Sequence, residues 1–253
     1  MEQKKTIIFK ITEFPHLSET FILAQVLTAL KLGYDVKILI VKLLDIENSL
    51  YKDILIKNNI LNTIIVENYN IPKNKILRVK KFLIIGLKNL KKIKAIISYY
   101  KRQNSFSLSW LFQWSFYEKF NSNQNIFHVQ YGTNKNPLDL LKSTGFYKPS
   151  LIVTFHGHDA FFPINGFIPN NGYYNNLFTY ANLITANTPY LADQLLKINC
   201  PDEKLSIVPV GVVQSGCTVT DAFAVAGDPG ATFTVKDNAV ETQPVKVFSI
   251  STS

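Results

Sequence analysis

Short apolar runs rich in β-branched residues alternate along most of the chain with stretches whose apolar positions recur every three or four residues. The first pattern is that of buried strands and the second that of amphipathic helices. Thr6 to Thr12 reads as the first strand. After a loop holding His16, Ser18 makes an N-cap for a helix in which Phe21, Ile22, Ala24, Val26, Leu27 and Leu30 share one side, Glu19 complements the dipole and Gly33 is the stop. Tyr34 to Val41 is a second strand, a weaker helix covers Asn48 to Ile56, and Thr63 to Val66 is a third strand. Further strands fall at Asn125–Tyr131, Leu151–Val153, Leu183–Ala186 and Leu205–Val210. Between them lie an aromatic helix over Ser105–Phe120, a helix through Leu138–Leu141, a long loop over Phe161–Tyr174 and a helix over Tyr190–Ile198 opened by Thr188-Pro189. Strand and helix alternating in this way predict an α/β fold, a doubly wound, mainly parallel Rossmann-like sheet.

Pro72 to Arg102 predicts one long helix or two in tandem. Ile76, Val79, Leu83, Leu87, Leu90 and Ile97 project to one side, and Arg78, Lys81, Lys88 and Lys92 to the other. Between Lys73 and Arg102 there are eleven Lys or Arg and no acid. The chain's net charge is +9, and outside this segment 16 basic residues face 18 acidic ones, so the basicity is local. A core-packed helix with a solvated lysine face would account for it. So would an interfacial helix on anionic lipid, with Lys81, Lys88 and Lys92 as membrane-binding residues. Nucleic acid is not the expected partner, because no recognised binding motif accompanies the charge.

After Gly211 the composition changes. Val212 to Ser253 has no Leu, one Ile and two Lys, with turn signals at Asp228-Pro229-Gly230 and Asp237-Asn238 and strand candidates at Thr232–Lys236 and Pro244–Ile250. The expectation is a domain over residues 1–211 and an atypical β-rich C-terminal appendage over 212–253, of foreign or frameshifted origin.

With 47% hydrophobic and 18% charged residues the chain is globular rather than disordered. Two cysteines provide no disulfide framework, which fits a reducing compartment, and cytoplasm is the expected location, peripheral on the inner membrane face if the basic helix engages lipid. Lys10 interrupts the first apolar run, so that run reads as a strand and not a signal peptide.

The densest chemistry is Thr154-Phe155-His156-Gly157-His158-Asp159-Ala160, directly after the Leu151–Val153 strand. Polar residues at the carboxyl end of a parallel strand stand where open α/β sheets bind ligands, and Gly157 lets another group approach the backbone. His156 and Asp159 are the candidate catalytic pair, with Gly157 and His158 beside them. His16 and His128 fall at similar edges but read as structural. The His-x-His-Asp spacing also fits a metal, which would need a third and fourth ligand that no Cys/His pair supplies. No GxGxxG follows the first strand, which disfavours a dehydrogenase.

Five stretches in order resemble the N-terminal half of GT-B glycosyltransferases of family 4, retaining enzymes of capsule, exopolysaccharide and lipopolysaccharide assembly. They are Phe14-Pro15-His16-Leu17-Ser18-Glu19-Thr20-Phe21-Ile22, His128 to Thr133, Val153 to Asp159, Ala181 to Thr188, and Lys204 to Gly211. The resemblance implies transfer of a sugar from a nucleotide-sugar, with no other cofactor and no metal, to a glycan or lipid-linked acceptor. It places Ser18, Glu19 and Thr20 at a helix N-terminus suited to a phosphate or sugar hydroxyl, with His16, Gln130, Gly132, Thr133, Gly157 and His158 as further substrate contacts. His156 would lie beside the transferred sugar, and Asp159 would hold acceptor hydroxyls or orient a histidine. Gln130 stands where the family usually has a second histidine. In the family a second Rossmann-like domain, which binds the donor nucleotide and carries Glu-x7-Glu, follows the position of Gly211. Residues 212–253 do not resemble it, so the isolated chain is expected to be inactive, with an acceptor-binding subunit of a split enzyme, completed by a donor-binding partner subunit, or a non-catalytic membrane-associated binding module as the alternatives.

Overall fold

Two consecutive strands set the organisation of the molecule. β1 (Thr6–Phe14) pairs in parallel with β2 (Asp35–Leu43) on one side and with β4 (Asn125–Gln130) on the other. With β3 (Ile64–Val66), β5 (Ser150–Phe155), β6 (Leu183–Ala186) and β7 (Leu205–Ile207), the order is β3-β2-β1-β4-β5-β6-β7 and every pairing is parallel. This is the predicted doubly wound α/β sheet. The computed structural model describes residues 4–16, 20–103, 105–161 and 172–209. Ser18, Glu19, most of the predicted 161–174 loop and the whole 212–253 appendage therefore lie outside the described residues.

Alternation along each strand sorts the core to two faces. Ile7, Phe9, Ile11, Ile38 and Ile40 meet Ile22, Leu23 and Val26 of α1 (Thr20–Lys31) and Leu55 of α2 (Lys52–Lys57). Each such aliphatic side chain fully withdrawn from water contributes about 1.5–3 kcal/mol. On the other face Ile8, Phe127, Val129, Leu151, Val153 and Phe155 join side chains of the later helices. These are α4 (Ile93–Lys101), α5 (Ser109–Glu118), α6 (Leu138–Ser143), α8 (Asn175–Tyr180) and α9 (Pro189–Lys197). The predicted aromatic helix is core: Trp114 and Tyr117 are buried there.

The local punctuation follows the residues. At the end of α1 the Tyr34 N–H donates to the Ala29 carbonyl and the Gly33 N–H to the Leu30 carbonyl, with Gly33 at φ +85°, a Schellman cap. Thr188 caps α9 by accepting the Leu191 N–H at 3.1 Å, with Pro189 in the first turn.

The basic segment takes the second of its two expected forms, two helices in tandem, and the structure differs from the sequence reading in where the first of them starts and in one further helix. The basic segment is two helices, α3 (Lys75–Lys88) and α4, joined by a 3-10 turn at Leu90–Lys92. Asn74, not Pro72, opens α3, its side chain accepting the Leu77 N–H. No residue of α3 is buried, and Phe82 and Ile85 are the side chains that pack on the core. The stripe Ile76, Val79, Leu83, Leu87 therefore faces outward. Finally, α8 was not anticipated, because a six-residue helix without a side-chain cap is held by the burial of Leu177 and Phe178 rather than by local signals.

Candidate functional site

In the order β3-β2-β1-β4-β5 the chain direction across the sheet reverses between β1 and β4, and open α/β sheets bind ligands in the crevice beyond the carboxyl ends of such a pair. Three segments meet there. They are the start of α1, the turn after β4 and the turn after β5.

β4 ends in Gln130, which is 0% exposed. Its amide nitrogen donates to Gln25 Oε1 on α1 at 2.8 Å, which leaves its carbonyl Oε1 facing His156 Nε2 at 2.9 Å. The direction of that chain assigns the proton of His156 to Nε2, so Nδ1 carries the lone pair. The ring lies beside Phe21, with centroids 4.6 Å apart, and Tyr131, at 4.5 Å. Burial lowers its pKa to about 4, so the imidazole is neutral at pH 7. His156 is thus a neutral group held in one tautomer beside two aromatic rings.

Asp159 opens a different set of contacts. It is 2% exposed and sits in the short helix α7 (His158–Phe161). Its Oδ2 accepts the Gly132 N–H at 2.7 Å, and its Oδ1 accepts the N–H groups of His156 at 3.0 Å and Gly157 at 3.1 Å. The carboxylate thereby ties the turn after β4 to the turn after β5. Burial pushes its pKa above the usual carboxylate range, and these three donors act against that push. Gly132 is required by space: a Cβ there would stand 2.3 Å from the Phe155 ring. Gly157 is required by conformation, with φ +126°.

The remaining predicted residues separate. Thr20 is the first residue of α1, Thr133 is partly buried in the 3-10 turn Gly132–Lys135, and His16 and His158 are exposed. His128 lies deeper in β4 and bonds Thr154 Oγ1 at 2.8 Å, which in turn meets Thr185 Oγ1 at 2.7 Å. Burial lowers its pKa to about 3. Among the described residues no group of three His, Cys, Asp or Glu is placed to hold a metal ion.

Two features escaped the sequence reading. Gln25 is the partner of Gln130 across 105 positions, and its signal was a lone amide in the otherwise apolar run from Phe21 to Leu27. The other is buried charge under the crevice. Lys10 is buried, donating to the carbonyls of Asn134 at 2.9 Å and Asn136 at 2.5 Å and pairing with Glu67 Oε2 at 3.6 Å. The hydroxyls of Tyr69 and Tyr117 donate to the other oxygen of Glu67. Lys135 pairs with buried Asp139 at 2.5 Å. Lys10 and Lys135 thus brace the turn that carries Gly132 and Thr133.

No protein-family model and no curated protein matches this sequence. Among solved structures it is similar to Anabaena HepE in complex with UDP and glucose, with 12% identity over 82% of this chain and 44% of that one, TM-score 0.46. A glycosyltransferase from Rickettsia africae is 18% identical over 81% of this chain and 43% of its own, TM-score 0.43. A UDP-N-acetylglucosamine 2-epimerase is 15% identical over 81% and 48%, TM-score 0.43. The chain spans less than half the length of each.

Proposed function

We propose that residues 4–209 form the acceptor-side half of a nucleotide-sugar glycosyltransferase whose acceptor is a glycan or lipid-linked saccharide of surface-polysaccharide assembly. One observation carries the reading: three of the stretches that resemble family 4 enzymes, far apart in sequence, converge through Phe21, Gln130, Tyr131, Gly132, His156 and Asp159 on one crevice at the reversal of the sheet. A neutral imidazole with Nδ1 as acceptor suits a sugar hydroxyl, and two aromatic rings beside it suit the apolar face of a sugar. His156 is the residue in contact with the sugar, while Asp159, its oxygens taken by backbone N–H groups, holds the crevice in shape. Turnover would require a donor-binding half supplied outside residues 4–209 or by another subunit, because charge on the departing diphosphate needs its own donors.

The test is saccharide binding by the whole chain on a glycan array, with His156→Ala as comparison, alongside transfer assays using radiolabelled nucleotide-sugars. Binding that is lost in His156→Ala, with little transfer by the chain alone, is expected. Absence of saccharide binding would overturn the acceptor assignment, and rapid transfer by the chain alone would overturn the half-site.

A further inference from the structure

An exposed pair of aromatic rings stands beside the crevice, outside the contacts that hold His156. Phe161, the last residue of α7, and Tyr190, in the first turn of α9, stack with ring centroids 5.6 Å apart and planes 24° from parallel. They follow the carboxyl ends of the neighbouring strands β5 and β6, so they share the sheet edge that carries His156. Phe161 also abuts the site directly. Its N–H donates to the Gly157 carbonyl at 3.2 Å, and its ring stands 3.8 Å from where a Cβ on Gly157 would be. Both rings are open to water, Phe161 40% and Tyr190 65% exposed. Their supports are fixed, since Asp159 and Ala160 of α7 and Leu191, Ala192 and Leu195 of α9 are buried. A single exposed ring is ordinary, but two rings held nearly parallel by buried elements offer a preformed apolar surface that costs a ligand little ordering.

We propose that the Phe161–Tyr190 pair is a subsite for a second pyranose residue, next to the sugar at His156, so that the acceptor is an oligosaccharide and not a single sugar. The proposal rests on the acceptor reading of His156. The apolar face of a pyranose presents polarised C–H groups, which the negative face of an aromatic ring attracts while the contact withdraws both from water. Charge selects a neutral sugar over the base of a nucleotide. In a chain with 27 Lys and Arg, none lies between Lys148 and Lys197, and Asp193 of α9 is exposed. A nucleotide stacked here would bring its phosphates to a stretch without a cation. The hydroxyls of a neutral sugar need only polar partners, and exposed His158 and partly buried Asn187 adjoin the two rings in sequence.

The experiment is binding of the full chain to a glycan array that sets each monosaccharide beside di- and trisaccharides ending in it, with a parallel titration by uridine diphosphate. Among the saccharides that bind, the longer members should be held about tenfold more tightly than the monosaccharide, as one added stacking contact would give. Tyr190→Ala should bring the longer members down to the monosaccharide level, Tyr190→Phe should keep the gain, and His156→Ala should lose binding throughout. Phe161→Ser serves as the second variant if thermal melting shows that Tyr190→Ala disturbs folding. Equal affinity for single sugars and longer ones, or a gain that survives both Tyr190→Ala and Phe161→Ser, would overturn the subsite and leave the acceptor reading of His156 standing. A loss in Tyr190→Phe equal to that in Tyr190→Ala would assign the gain to the hydroxyl and overturn stacking. Uridine diphosphate binding abolished by Tyr190→Ala would put a nucleobase on the rings and overturn the saccharide. Absence of all saccharide binding would overturn the acceptor reading and the subsite with it.

Discussion

His156 and Gln130, 26 positions apart, meet through Nε2 and Oε1 at 2.9 Å, and the second hydrogen bond of Gln130, to Gln25, decides which histidine nitrogen carries the proton. The chemistry open to His156 is therefore set by a strand residue and a helix residue that need not touch a ligand themselves. Replacing Gln130 by Glu would put a carboxylate against the ring. An opposite charge at this distance raises a histidine pKa by roughly 1–3 units. Imidazole titration by NMR should move His156 upward from about 4, and a titration curve unchanged in Gln130→Glu would refute the contact.

Acid should destabilise the fold between about pH 6.5 and pH 3. His128 and His156 have folded values of about 3 and about 4, below the ordinary 6.5, so in that window the unfolded chain binds more protons than the folded one. Their contribution is whole above the unfolded value and is lost as the pH falls toward the folded ones, on the order of 5 kcal/mol for His128. Asp159, raised by burial, acts in the opposite sense. Urea midpoints across this range should fall with pH, and His128→Asn should flatten the slope.

Asp159→Ala would leave the N–H groups of Gly132, His156 and Gly157 without their acceptor. At about 1–3 kcal/mol for each buried donor left unmade, a loss of about 3 kcal/mol or more is expected by denaturant unfolding. Hydrogen exchange of these three amides should accelerate more than that of β1.

Gly132→Ala sets a methyl group 2.3 Å from the Phe155 ring, which packs against Tyr174 and Phe178 and has little room to turn. Overpacking of this kind costs about 1–3 kcal/mol. A melting temperature equal to wild type would show that the ring yields.

The Lys10–Glu67 pair should be more sensitive to losing one partner than to losing both. Lys10→Met leaves the Glu67 carboxylate buried with only tyrosine donors, at a cost of about 3–5 kcal/mol, and Lys10→Met with Glu67→Gln should recover part of that. A double-mutant cycle with no coupling would contradict the contact.

Much of this architecture was legible in the residues. Apolar runs marked every strand within a few positions, Gly33 and Thr188-Pro189 punctuated their helices as expected, and the edge residues from His156 to Asp159 were recognisable because a polar cluster directly after a buried strand has few places to go. The basic segment was legible as a helical region and as a concentration of charge. Its orientation was not, since α3 carries apolar residues on both sides and periodicity alone does not say which will meet α5.

Sequence by itself determined the alternation of strands and helices, the location of the charge and the edge at which the polar residues gather, because these depend on local periodicity and on the direction of each strand. Only the tertiary structure decided that Phe82 and Ile85 face inward while Ile76, Leu83 and Leu87 face out, that Lys10 is buried against Glu67, and that Asp159 grips backbone while Gln25 and Gln130 hold His156. Each of these joins groups distant in sequence or chooses between two faces of one element, and that choice is made by what packs against what.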